Sequence, residues 1–227
     1  MTEQEKIIGI LGGMGPAATL ALYERILAFT PAQCDQDHLH VLIDSNPKIP
    51  NRTVAILGKG EGPLPAMIES AKTLERAGAD FIVIPCNTAH YWLAELQKEV
   101  AIPIIDMIDE AVLAITEDRV GLLATDGVLF SRVYHDACRR VQIKLLEPER
   151  DDQACVMQVI YRIKAGEEVT AINNDITGVI ARLHERGAKG VLIGCTELSL
   201  LPKQDLSLPI YDALDIVAQV AVCRAFS

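Results

Sequence analysis

At 227 residues, half of them hydrophobic, the chain holds enough apolar material for one large domain or two small ones, and is far from a disordered composition. A formal net charge of −10 argues against a phosphate-tracking nucleic-acid surface, and no apolar run is long enough to cross a membrane as a helix. Six widely spaced cysteines, and an acidic start at 1–6 with no basic segment before the first apolar run, lead to the expectation of free thiols in a reducing, cytoplasmic setting.

Short β-branched runs alternate with longer amphipathic stretches, the pattern of βαβ units on parallel sheets. In chain order the first half predicts strands at 7–11, 41–44, 81–84 and 102–105, with helices at 17–29, 65–77 and 89–100 between them. The second half repeats the plan, with strands at 120–124, 143–146, 191–193 and 209–211 and helices at 129–140, 154–164, 176–186 and 214–225. Three pairs of segments echo one another in the same order: Gly9-Ile10-Leu11 with Gly121-Leu122-Leu123, the run ending at Cys86 with the run ending at Cys195, and Ile102 to Asp106 with Leu208 to Asp212. The predicted fold is therefore α/β, with two pseudo-symmetric lobes at 1–112 and 113–227, each a parallel sheet flanked by helices. The site is expected between them, and the last helix is expected to pack on the first lobe.

The cysteine echo carries the chemistry. Ligands of open parallel sheets sit beyond the carboxyl ends of the strands, where Cys86 and Cys195 both fall. Each precedes polar residues that cap a helix start, Asn87 and Thr88 in one copy and Thr196 in the other, and the local field there favours thiolate over thiol. Cys34, Cys138, Cys155 and Cys223 have no counterpart in the other half and read as inert packing residues. No closely spaced ligand pair suggests a metal. After the first strand, Gly13, Gly15 and Ala18 formally satisfy a dinucleotide fingerprint, but Pro16 at a helix start explains the turn without a nucleotide, and a backbone approaching a small anion fits better. His90 reads as packing, and Asp106 and Asp212 as helix caps.

Three motifs, Gly12-Gly13-Met14-Gly15-Pro16, Pro85-Cys86-Asn87-Thr88-Ala89-His90 and Gly194-Cys195-Thr196-Glu197-Leu198, closely resemble those of the aspartate racemases in the aspartate/glutamate racemase superfamily. The resemblance extends through Pro50-Asn51-Arg52-Thr53 and Lys164-Ala165-Gly166 to essentially the whole chain. It implies a racemase without cofactor or metal, acting on a dicarboxylic amino acid as a homodimer, with Cys86 and Cys195 as acid and base. It further implies Arg52 and Lys164 as carboxylate binders, and places Met14, Thr53, Asn87, Thr88, Thr196 and Glu197 at the substrate site. Glutamate racemases differ in their opening glycine segment and carry a histidine where this chain has Glu197, which favours aspartate. A broad-specificity or glutamate racemase, a lyase or isomerase of the same superfamily similar to maleate isomerase, and a non-catalytic amino-acid-binding protein are the alternatives.

The paired thiols suit the reaction. Inverting Cα removes a proton from one face and returns one to the other, which a single side chain cannot do. Without an electron sink the carbanion must be stabilised by fixed donors and a cation on the carboxylate. Arg52 offers a planar fork for that purpose, and Lys164 a point charge.

Overall fold

The computed structural model describes residues 5–168, 172–202 and 208–227; residues 1–4 of the acidic start lie outside this set. Strand β1 (Ile8–Gly12) leads into α1 (Pro16–Phe29), and β2 (Val41–Ser45) is followed by a short α2 (Arg52–Ile56) and by α3 (Leu64–Arg76). Beyond β3 (Phe81–Val83) the chain makes a 3₁₀ helix at Asn87–Trp92, then α4 (Leu93–Gln97) and α5 (Met107–Leu113). The second half comprises β4 (Arg119–Ala124), α6 (Asp126–Ser131), α7 (Val133–Arg140), β5 (Lys144–Leu146), α8 (Arg150–Lys164), α9 (Asn173–Glu185), β6 (Gly190–Gly194), β7 (Ile210–Asp212) and α10 (Ala213–Ala225).

Both sheets are parallel, in the orders β2-β1-β3 and β5-β4-β6-β7. The registers repeat: Gly9 lies opposite Ile82 in the first sheet as Gly121 lies opposite Val191 in the second, and Ile104 bridges Ile82 as Ile210 pairs with Val191. The fourth strand expected at 102–105 is reduced to that one bridge. Pro103 has no N–H to give a ladder, and the side chain of Gln97 bonds both Ile102 O and Ile104 N, at 3.0 and 2.8 Å.

Helix positions depart from the sequence reading where capping overrides periodicity. The stretch expected as one helix at 89–100 is a 3₁₀ segment followed by a single short α-helix. The stretch at 129–140 belongs to two helices, broken where Arg132 adopts a left-handed φ of 60°. The stretch around Arg52, to which the sequence reading assigns no element, is helical, opened by Asn51, whose side chain accepts from the Val54 N–H at 3.2 Å. Asp106 likewise opens α5, an element absent from the sequence reading, and Asp212 opens α10.

The apolar helix α10 packs against α1 and α5. Its Leu214, Val217, Ala218, Ala221 and Val222 belong to a core cluster that also holds Ile8, Ile10 and Phe81 from the first sheet and Val120, Leu122 and Leu192 from the second. Burying a side chain of this size contributes about 1.5–3 kcal/mol, so this shared core is a major tie between the halves.

Candidate active site

The carboxyl ends of β1, β3, β4 and β6 deliver their next residues to one place. Met14 after β1, Cys86, Asn87 and Thr88 after β3, Thr125 after β4, and Cys195, Thr196 and Glu197 after β6 line a single cavity. The start of α2 adds Asn51, Arg52 and Thr53, and the last residue of α8 adds Lys164. Every site residue named from sequence therefore faces this cavity, together with two that sequence reasoning missed, Asn51 and Thr125. Thr125 could have been found: it follows the strand that echoes β1, at the end of the sheet where ligands bind. The thiols of Cys34 and Cys223 are exposed and away from the cavity, so the expectation that both are buried packing residues is corrected; Cys138 is buried.

On the first side, Cys86 is 6% exposed and caps the 3₁₀ helix through its backbone. The His90 ring closes this turn. Its Nε2 accepts from the Met107 N–H at 3.1 Å, so the proton resides on Nδ1, which donates to Cys86 O at 2.9 Å. Burial holds the His90 pKa below its ordinary value, partly offset by the Asp106 carboxylate. The imidazole is thus a neutral clamp between the Cys86 turn and the first turn of α5. Beside it, Thr88 and Thr125 share a hydroxyl hydrogen bond of 3.0 Å that joins the two halves at the cavity wall.

On the second side, Cys195 is 4% exposed and its Sγ–H donates to Glu197 Oε2 at 3.2 Å. The other oxygen of that carboxylate lies 3.0 Å from Lys164 Nζ. Burial pushes the Cys195 thiol well above its ordinary range, and the Glu197 carboxylate pushes in the same direction. The expectation that a helix terminus favours thiolate here is therefore corrected, because only a three-residue 3₁₀ turn at Leu198–Leu200 follows and burial outweighs it. For Lys164, burial pulls the ammonium down, but the Glu197 carboxylate, with the charge a cysteine thiolate brings, more than offsets this, and the net shift is upward. Thr196 gives its hydroxyl hydrogen to Pro85 O at 3.1 Å, which ties one cysteine turn to the other and leaves it only acceptor capacity toward a ligand.

The Arg52 guanidinium is locked by three carbonyls, those of Ile49, Pro50 and Met14, at 3.0, 2.9 and 3.3 Å. Among the described residues its buried Nε has no acceptor. The buried Asn87 amide nitrogen likewise has no partner among them. Two unsatisfied donors at one polar cavity would each cost about 1–3 kcal/mol if left so, which marks them as groups awaiting an acceptor. The glycine turn contributes differently from the expected anion cradle. Gly13 N–H is bonded to Thr19 Oγ1 at 2.8 Å, and a Cβ on Gly13 would stand 2.3 Å from the Asn46 backbone, so that glycine serves packing.

Residues 11–221 match the family model for Asp/Glu/hydantoin racemases. The chain belongs to this family. Among relatives of this racemase, the Picrophilus torridus aspartate racemase superposes with a TM-score of 0.86 at 30% identity, covering 97% of this chain and 94% of that one. A broad specificity amino-acid racemase of Bacillus subtilis is 26% identical over 225 residues, 95% of this chain and 96% of its own. An aspartate racemase homologue from Pyrococcus horikoshii shares the fold, with a TM-score of 0.79 at 24% identity, covering 99% of this chain and all of that one.

Proposed function

We propose that this racemase interconverts L- and D-aspartate without a cofactor, using Cys86 and Cys195 as the two acid/base groups, and acts as a cytoplasmic homodimer. The observation that carries the reading is that the halves, taken as 1–112 and 113–227, each send a buried cysteine from the same position of the same βαβ plan into one cavity. A thiolate takes the α-proton from one face. The electron pair left on Cα spreads into the carboxylate, and the opposite thiol returns a proton to the other face, so thiol and thiolate exchange places in each turnover. Arg52 Nε–H and the Asn87 amide are the donors that meet the carboxylate as charge develops on it. Cys195, bonded to Glu197 as a thiol, enters as the acid and Cys86 as the base.

A second reading, a racemase of broad specificity, has its own observation. Lys164 already faces the Glu197 carboxylate, so the lining arginine, lysine and glutamate sum to the charge of Arg52 alone, too little for two substrate carboxylates. One experiment tests both readings: L-aspartate, L-glutamate and L-alanine are incubated without added cofactor in deuterated water, and the products are separated by chiral chromatography. Deuterated D-aspartate with alanine rates lower by about 10⁴ is the expected result, since a site built for a polar group rejects its absence strongly. Comparable rates on all three amino acids would establish the broad reading, and no α-deuterium in any would remove both.

A further inference from the structure

Tyr134 lies in α7, outside every motif that marks the site, and is fully buried. Its hydroxyl donates to Asn87 Oδ1, immediately after Cys86. Its ring edge occupies the space a side chain at 194 would need, since a Cβ on Gly194 would stand 2.9 Å from Tyr134 Cε2, and Gly194 immediately precedes Cys195. One buried side chain therefore touches both cysteine turns, by a hydrogen bond on one side and by packing on the other.

We propose that Tyr134 is a positioning residue that fixes the Asn87 amide with its NH₂ toward the substrate carboxylate while setting the spacing of the two cysteine turns. The inference rests on the racemase reading of the cavity. A primary amide can turn about its last bond and present either its oxygen or its nitrogen to the cavity. A buried phenol has a hydrogen to give and, among the described residues, gives it to Asn87 Oδ1. Turning the amide over would make NH₂ the donor to the phenol oxygen, deprive the phenol hydrogen of its Asn87 acceptor, and set an acceptor oxygen against an incoming carboxylate. Tyr134 thus converts an ambivalent amide into a committed donor, which explains why Asn87 Nδ2 has no partner among the described residues although Asn87 is 2% exposed.

Tyr134→Phe keeps the ring against Gly194 and removes the hydroxyl. The expected result is a rise of about tenfold in the calorimetric Kd for succinate and a fall of about tenfold or more in kcat/KM that includes a loss in kcat, with the far-ultraviolet spectrum changed little. In an Asn87→Ala background the same change should alter succinate affinity less than twofold, because the amide it orients is gone; an equal loss in both backgrounds would mean a purely structural tyrosine and overturn the proposal. Asn87→Asp supplies an independent arm. It keeps an acceptor for Tyr134 but no donor for the ligand, so its succinate binding should fall to that of Asn87→Ala, and wild-type binding would refute the orientation argument. Failure of the racemase reading itself would show differently, as a wild-type protein that exchanges no α-hydrogen.

Discussion

The two cysteine turns occupy equivalent places in the two sheets yet are held by opposite kinds of chemistry. Behind Cys86 stands a neutral imidazole, with His90 bonded to the Cys86 carbonyl and to the Met107 N–H. Beside Cys195 stands a charged pair, Glu197 and Lys164, with the thiol bonded to the carboxylate. The internal repeat thus preserves backbone register while the electrostatics diverge. On the two-thiol proposal both groups need equal reach to Cα, while burial and the Glu197 carboxylate hold the proton on Cys195.

The largest test removes each thiol. Cys86→Ala and Cys195→Ala should each lower racemisation by on the order of 10³ or more, with the double variant little worse, because the pair acts as a unit. Cys34→Ala and Cys223→Ala should leave the rate unchanged, as both lie at the surface away from the cavity. A single variant that racemises at a near-native rate would end the two-thiol reading.

Next comes the asymmetry itself. Glu197→Gln leaves the Lys164 ammonium facing Cys195 without its carboxylate and removes the group that holds the thiol proton. The Cys195 pKa should then fall from its raised position, and the alkaline limb of kcat/KM, where that proton is lost, should move to lower pH with a rate loss of about ten- to hundredfold. An alkaline limb that stays in place would show that Glu197 does not govern the thiol. Arg52→Lys should cost a similar factor, expressed in kcat as well as KM, since an ammonium cannot hold the three carbonyls that lock the guanidinium and still offer Nε–H.

What was legible in the sequence was what repeats. Gly9 and Gly121, Cys86 and Cys195, and Asp106 and Asp212 echo because the same strand-turn-helix plan is used twice, and strand periodicity in both halves gave the parallel sheets. Parts without a partner in the other half were less visible. Helix α2 is too short for any apolar period and depends on the Asn51 cap, and the break between α6 and α7 depends on a left-handed arginine that no local composition signals. Nothing in the sequence singles out Tyr134, because its hydrogen bond to Asn87 spans 47 positions. Gly127 was equally silent: it sits where a Cβ would come within 2.8 Å of Thr53 Oγ1 and 3.1 Å of Thr88 Cγ2, so it lets α6 press against the cavity wall. Gly127→Ala should destabilise the protein by about 1–3 kcal/mol in chemical denaturation and weaken substrate binding as the wall shifts.

The smallest effect belongs to the neutral side and appears as a pH dependence of stability. Burial depresses the folded-state pKa of His90 below the ordinary 6.5 it regains on unfolding. Between those two values the unfolded chain binds a proton that the folded chain refuses. The contribution of His90 is therefore fully present above about pH 6.5 and is lost as the pH falls toward the folded-state value. Protonation would also put a hydrogen on Nε2, where the Met107 N–H already donates, so the clamp cannot accept the proton without opening. His90→Ala should lower stability at pH 8 by about 1–3 kcal/mol through the orphaned Met107 N–H and Cys86 carbonyl, yet narrow its deficit from the native protein as the pH drops from 7 to 5. Urea midpoints measured across that range for both proteins would show the two curves converging on the acid side. Parallel curves would mean that His90 is not the neutral clamp, and that both cysteine turns are held by groups indifferent to this pH range.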